Sequence, residues 1–265
     1  MNYQVLKGLK VGNLESVDKC IIPTCNIMGV DIAAINMEWL IEYTKENINH
    51  LSGNYMCVAN VHTTVTAYED IDYRDIQNGG IMAIPDGGPL SSVGRRRGYS
   101  SMQRTTGPSY MEEVFKISEE YGWRHFFYGS SQETLDKLKE ELIKKYPYMQ
   151  IVGMYSPPFK KEVTVESDDI LSMVNDAKPN FVWVGLGAPK QEKWMALYKD
   201  KVHGFMVGVG AGFDYFAGNI KRAPEWMQKC NLEWLYRLIQ DPKRLFKRYF
   251  STNIKFIWNA VIMGK

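Results

Sequence analysis

From Tyr55 onward, short runs of apolar, β-prone residues alternate with stretches whose apolar positions recur at helical spacing, and the runs end in Gly, Asn, Asp or Pro. The runs are residues 56–61, 80–84, 125–128, 150–154, 181–185 and 205–209. Five of the six are almost continuously apolar, the pattern of strands covered on both faces in a parallel sheet. Residues 36–49, 131–146 and 190–198 read as helices, the second capped by Ser130 or Ser131 with Glu133 in its first turn. One further strand is expected around residues 26–30. This alternation predicts an α/β fold, a Rossmann-like and mostly parallel sheet flanked by helices, with function in the loops at the carboxyl ends of the strands. Residues 87–108, with Arg95, Arg96 and Arg97 inside them, form the longest irregular segment, and a loop of that length in a compact domain is usually functional or mobile.

Composition narrows the class. With 265 residues, 45% of them apolar and 23% charged, the chain can bury a real core and is neither disordered nor collagenous. Cys20, Cys25, Cys57 and Cys230 contain no C-x-x-C pair, and His50, His62, His125 and His203 stand apart, so no zinc cluster or disulfide framework is indicated. Residues 1–10 lack the apolar core of a signal peptide, and no run approaches the ~18 to 20 apolar residues of a membrane span. A cytoplasmic setting is expected.

The net charge of +2 conceals an asymmetry. After Ile220 the chain carries 10 basic and 3 acidic residues, a balance of +7, against 22 and 27 before it, a balance of −5. The expected organisation is an α/β body over residues 1–219 and a basic, aromatic, helical appendage over residues 220–265, the latter suited to an anionic surface or ligand.

Three glycine clusters follow three different strands. Pro85-Asp86-Gly87-Gly88-Pro89 places a carboxylate at a strand end beside glycines that let the backbone approach a ligand; a turn in which Asp86 bonds its own backbone is the alternative. Gly185-Leu186-Gly187-Ala188-Pro189-Lys190-Gln191-Glu192 leaves amides near a helix N-terminus for a phosphate or sugar oxygen, against a turn merely capped by Gln191. It matches neither the P-loop nor the G-x-G-x-x-G spacing, which argues against an ordinary ATP or NAD site. Gly208 to Asp214 forms the third, leading to Arg222-Ala223-Pro224. Together they outline a crevice for a phosphorylated, polyhydroxylated ligand. Asp70-Ile71-Asp72 has the spacing of a divalent-metal ligand pair, but at a helix end it reads better as a solvated face. In the tail, Arg237, Arg244 and Arg248 fall on one helical face if the helix continues past Pro242, and Trp234, Phe246, Tyr249, Phe250, Phe256 and Trp258 suit a membrane interface.

These pieces, in this order, closely resemble the WecG/TagA/CpsF glycosyltransferases, family 26 of the glycosyltransferases. The resemblance runs through Asn60-Val61-His62-Thr63-Thr64, Pro85-Asp86-Gly87, Arg104-Thr105-Thr106-Gly107-Pro108, the Gly185 to Glu192 loop, Gly208 to Asp214, Arg222-Ala223-Pro224 and Leu232 to Leu238 with Pro242, Arg244 and Arg248, over about residues 25–250. It implies a bacterial, inverting transferase that moves a sugar such as N-acetylmannosamine from a UDP-sugar to a polyprenyl-diphosphate-linked saccharide in cell-surface polysaccharide synthesis, peripherally on the inner face of the membrane. It implies Asp86 as the catalytic base. Asn60 and Gln191 are implied to line the pocket, and the matching motifs add Thr64, Arg104, Thr106, Gly107, Gly185, Gly187, Lys190, Glu192 and Arg222 as substrate contacts. Arg237, Arg244, Lys247 and Arg248 are implied to engage diphosphate and membrane, with no metal, cofactor or nucleic acid. Val58-Ala59-Asn60 stands where some members have Thr-Pro-Asn, which leaves the sugar open; a homo-oligomer is left open too.

Two other classes compete. A non-catalytic membrane- or nucleic-acid-binding module explains the basic tail but gives no use for three strand-end glycine clusters. A dinucleotide-dependent oxidoreductase suffers from the broken fingerprint.

Overall fold

The computed structural model describes residues 22–265 except 161, 162, 164, 230 and 231. The elements in chain order are β1 (Thr24–Ile27), β2 (Val30–Ala33), α1 (Met37–Asn47), β3 (Tyr55–Ala59), α2 (Val61–Glu69), α3 (Ile71–Gly79), β4 (Met82–Pro85), α4 (Gly88–Arg96), α5 (Gly107–Tyr121), β5 (Arg124–Gly129), α6 (Gln132–Lys145), β6 (Gln150–Tyr155), α7 (Asp168–Asp176), β7 (Phe181–Gly185), α8 (Lys190–Leu197), β8 (Phe205–Gly208), α9 (Gly212–Phe216), α10 (Glu225–Lys229), α11 (Glu233–Gln240) and α12 (Pro242–Phe256), which runs on as a π-helix over Ile257–Ile262.

The eight strands form one sheet in the order β1-β2-β4-β3-β8-β7-β5-β6. Only the β1–β2 pair is antiparallel. The near-continuous apolar runs have the cause expected for a doubly covered sheet, because alternate residues of one strand feed two separate cores. Met56 and Val58 of β3, Trp183 of β7 and Val207 of β8 pack with α1, α5 and α6, whereas Cys57 and Ala59, Val182 and Val184, and Met206 pack with α2, α3, α8 and the end of α12.

Two local readings are corrected. The single strand expected around residues 26–30 is a hairpin, since Met28 and Gly29 both have positive φ and turn the chain between β1 and β2. The long irregular segment contains α4, whose Leu90, Val93 and Gly94 are buried and whose Pro89 stands in the first turn, where its missing N–H costs nothing.

The tail does not continue as one helix past Pro242. Asp241 leaves the helical region (φ −138°, ψ 67°), as a residue before proline is disfavoured from staying in it, and α12 starts afresh. The expected single arginine face is therefore divided between two helices. α12 packs on α2, and Phe256 and Ala260 enter the second core.

Candidate active site at the strand ends

Register places the central pair. Ala59 of β3 lies opposite Pro85 of β4, so the next residues, Asn60 and Asp86, leave the sheet side by side, and the Asp86 N–H donates to the Ala59 carbonyl (2.7 Å). The neighbouring strands β8 and β7 deliver the Gly208 to Gly212 turn and the Gly187 loop to the same edge. Between them lies a cavity of about 740 Å³, within the ordinary range for small-molecule sites. Its wall includes Asn60, Asp86, Gly87, Arg104, Thr106, Gly187, Gln191 and Gly210, and is completed by Tyr215, Glu233, Arg237 and the tail residues Tyr249, Phe256 and Val261.

Gly87 caps α4 with φ +117°, a conformation that a side chain resists, and thereby turns the chain away directly after Asp86. The Asp86 carboxylate makes no hydrogen bond to its own backbone and no ion pair among the described residues. Burial pushes its pKa up to about 6; Arg104, Arg237 and Arg222 pull against that and Glu233 adds to it. The second carboxylate of the wall, Glu233, is occupied by an ion pair with Arg104 and stands 4.0 Å from Arg222 Nε. Arg237 lies over the Tyr215 ring, 5.7 Å from its centroid.

Asn60 has a structural duty as well as a place on the wall. Its side-chain oxygen caps α2 by accepting from His62 and Thr63 N–H (3.0 and 3.1 Å), and the Thr63 hydroxyl returns the contact to the Asn60 backbone, completing a capping box. Gln191 combines two roles similarly: its Oε1 accepts from Gly187 N–H (3.1 Å) and Gly210 N–H (3.0 Å), tying the β7 and β8 loops together. Gly208 admits this tie, because a Cβ there would stand 2.8 Å from Met195 Cε and 3.0 Å from Gln191 Nε2.

Of the residues singled out in the sequence, Asn60, Asp86, Arg104, Thr106, Gly187, Gln191 and Arg237 meet at the cavity. Thr64, Gly107, Gly185, Lys190, Glu192 and Arg222 do not reach its wall. Thr64 and Glu192 are fully buried in the core, facing away from solvent. Gly107 and Gly185 serve packing, lying against Val58 and against the Phe213 ring. Lys190 turns aside to donate to the Lys160 carbonyl (2.6 Å). Arg222 sits behind Thr106, donating to Ser109 Oγ (2.6 Å) and pairing with Glu112 (3.5 Å). The side chains of Arg244, Lys247 and Arg248 lie outside the described residues. Asp70 caps α3 through Tyr73 N–H (3.1 Å), which accounts for the acidic pair at that helix junction.

Glu233 and Tyr215 were missed as site residues. For Glu233 two signals are available, its place in the Leu232 to Leu238 motif and its i, i+4 spacing to Arg237, which sets both on one helix face.

The sequence profile of the Glycosyl transferase WecG/TagA/CpsF family matches residues 25–264. The chain belongs to that family. A WecG/TagA/CpsF relative from Bacillus subtilis (strain 168), N-acetylglucosaminyldiphosphoundecaprenol N-acetyl-beta-D-mannosaminyltransferase, is 30% identical over 230 residues, covering 86% of this chain and 88% of the relative. A protein of the same name from Staphylococcus aureus (strain MW2) is 26% identical over 223 residues, covering 83% and 86%. As a member of the WecG/TagA/CpsF family the chain is a glycosyltransferase, and the match extends through the tail that closes the cavity. Among the described residues no helix is long and apolar enough to cross a membrane.

Proposed function

We propose that this glycosyltransferase moves an N-acetylhexosamine, such as N-acetylmannosamine, from a UDP-sugar to the saccharide of a polyprenyl diphosphate by a single inverting displacement, with Asp86 as general base. The names of the relatives supply the acceptor class and the sugar. One observation carries the role of Asp86: of the two carboxylates on the cavity wall, Glu233 is held by Arg104, and Asp86 has no cationic partner at ion-pair distance among the described residues. An unpaired carboxylate with a pKa near 6 is ionised at neutral pH yet basic enough to take the proton of an attacking hydroxyl, an assistance typically worth ~10² to 10⁴ in rate.

In this reading the acceptor hydroxyl attacks the anomeric carbon while Asp86 receives its proton, and UDP leaves with the bonding pair. Arg104 and Arg237, with the backbone amides of the glycine loops, are the groups placed to stabilise charge developing on the diphosphate. The tail also exposes Trp226, Phe246, Phe250, Trp258 and Ile262 beside its basic residues, which supports peripheral contact with an anionic membrane where a polyprenyl acceptor resides. The test is UDP release from a panel of UDP-sugars in the presence of a short-chain lipid-diphosphate N-acetylglucosamine. Turnover with UDP-N-acetylmannosamine is expected, and a protein that releases UDP from none of the sugars would overturn the reading.

A further inference from the structure

Behind the cavity, the hydrogen bonds around Gln191 run in a fixed direction. On one side its carboxamide meets two backbone N–H groups, of Gly187 and Gly210, which can only donate. The amide oxygen must therefore face them. Its nitrogen then points inward, where Glu192 Oε1 receives it at 2.8 Å. Glu192 is itself completely buried, and its second oxygen has no hydrogen-bond partner among the described residues. The Tyr73 hydroxyl, which accepts from Gln77 Nε2 at 2.9 Å, lies beside the Glu192 carboxyl and favours its charged form. A completely buried carboxyl is costly and calls for a reason.

We infer that Glu192 is a positioning residue: as the acceptor for Gln191 Nε2 it fixes which way the Gln191 carboxamide faces, and so holds the Gly187 and Gly210 loops in one register on the cavity wall. Gln191 is 4% exposed, so without that acceptor its NH₂ group would be buried and unpaired. It would then have to turn, either into the cavity or end for end. The second choice sets a donor against two donors, and each choice unties the loops. Glu192 never touches a ligand in this scheme, which accounts for an acidic residue of the loop motif lying behind the wall rather than on it.

The consequence for substrate rests on the UDP-sugar reading above, because the tied loops are those that would meet the nucleotide diphosphate. The experiment separates the two ideas by reading the loops and the ligand independently. Glu192→Met keeps the length of the side chain and removes the acceptor. Amide hydrogen exchange over residues 186–188 and 209–211 should accelerate in this variant while exchange in α5 stays as in the unaltered protein. UDP affinity measured by calorimetry should fall about tenfold, the cost of one buried hydrogen bond. Gln191→Met should behave in the same way, and the double variant should be no worse than either single one, since Glu192 acts through Gln191. Should the Glu192→Met protein fail to fold, Glu192→Asp, which withdraws the acceptor by one methylene, is read by the same two measurements. Unchanged protection at Gly187 and Gly210, or losses that add in the double variant, would overturn the positioning role. If the unaltered protein does not bind UDP, the donor assignment falls, and the exchange data still decide the case of Glu192.

Discussion

Glu233 and Arg104 are ion-paired across 129 residues of sequence, one on α11 in the basic segment and the other on the loop that follows α4. Their contact fastens the tail to the α/β body at the cavity itself. It also distinguishes the two carboxylates on the wall: Glu233 is paired with Arg104, and Asp86 makes no ion pair among the described residues.

Asp86→Asn keeps the shape of the side chain and removes the proposed base. Its kcat should fall by ~10² or more with the circular dichroism spectrum unchanged. In the unaltered protein the base must be deprotonated, so kcat/KM should rise with pH through a midpoint near 6 and level off above it. That acid limb should vanish in the residual activity of the variant. Near-normal turnover by the Asp86→Asn protein would remove Asp86 from the mechanism.

Glu192 offers a stability prediction of defined sign. Burial raises its folded-state pKa from 4.5 to about 7, so the folded protein prefers the protonated form. The stability this contributes is complete below about pH 4.5 and is lost as the pH rises through 7. Glu192→Gln is neutral at every pH. Relative to the unaltered protein it should gain little at pH 4.5 and most at pH 8, by up to about 3 kcal/mol. Thermal melts at the two pH values provide the check; an advantage that is the same at both would contradict the buried, titrating carboxyl.

Activity should persist in excess EDTA. The acidic pair that suggested a metal site is engaged as a helix cap at Asp70, and Arg104 and Arg237 stand at the cavity where a leaving diphosphate needs cations. Complete loss on chelation, restored by Mn²⁺ or Mg²⁺, would transfer that task to a metal.

Different parts of the tail should answer different assays. Arg237 is on the cavity wall, so Arg237→Ala should lower turnover about tenfold or more even with a water-soluble acceptor. Phe250 and Trp258 are 63% and 57% exposed and absent from that wall, so replacing both by Ser should leave turnover in solution intact and weaken sedimentation with anionic liposomes. Deleting the whole tail is a poorer test, since it strips Phe256 and Ala260 from the core that α12 shares with α2.

The strands were legible because burial on both faces leaves an unbroken apolar signature, as in Phe181 to Val184, and the strand-end glycines marked where the crevice would open. The β1–β2 hairpin was not, because Met28 adopts a positive φ that its side chain does not announce. Helix α4 was hidden by Gly and Pro that suit its first turn as well as they suit a loop. For the site, motifs gave residue types but not directions. Lys190, Gln191 and Glu192 are consecutive, so on a helix they diverge by about 100° each, and only Gln191 faces the cavity. The contribution of residues 249–261 to the wall depends on where α12 docks, a long-range contact for which a local pattern carries no sign.

Because Phe256, Ile257 and Val261 belong to the cavity wall, a ribosome-bound chain that has emerged only as far as α9 already possesses Asn60, Asp86 and both glycine loops, yet its crevice is unroofed on the α2 side. The apolar face of α2 that α12 later covers is bare at that stage, a surface open to chaperones or to early aggregation. Sugar transfer should accordingly begin only after translation has delivered α12 and its π-helical continuation, so that the timing of synthesis, and not just the sequence, determines when this glycosyltransferase first becomes competent.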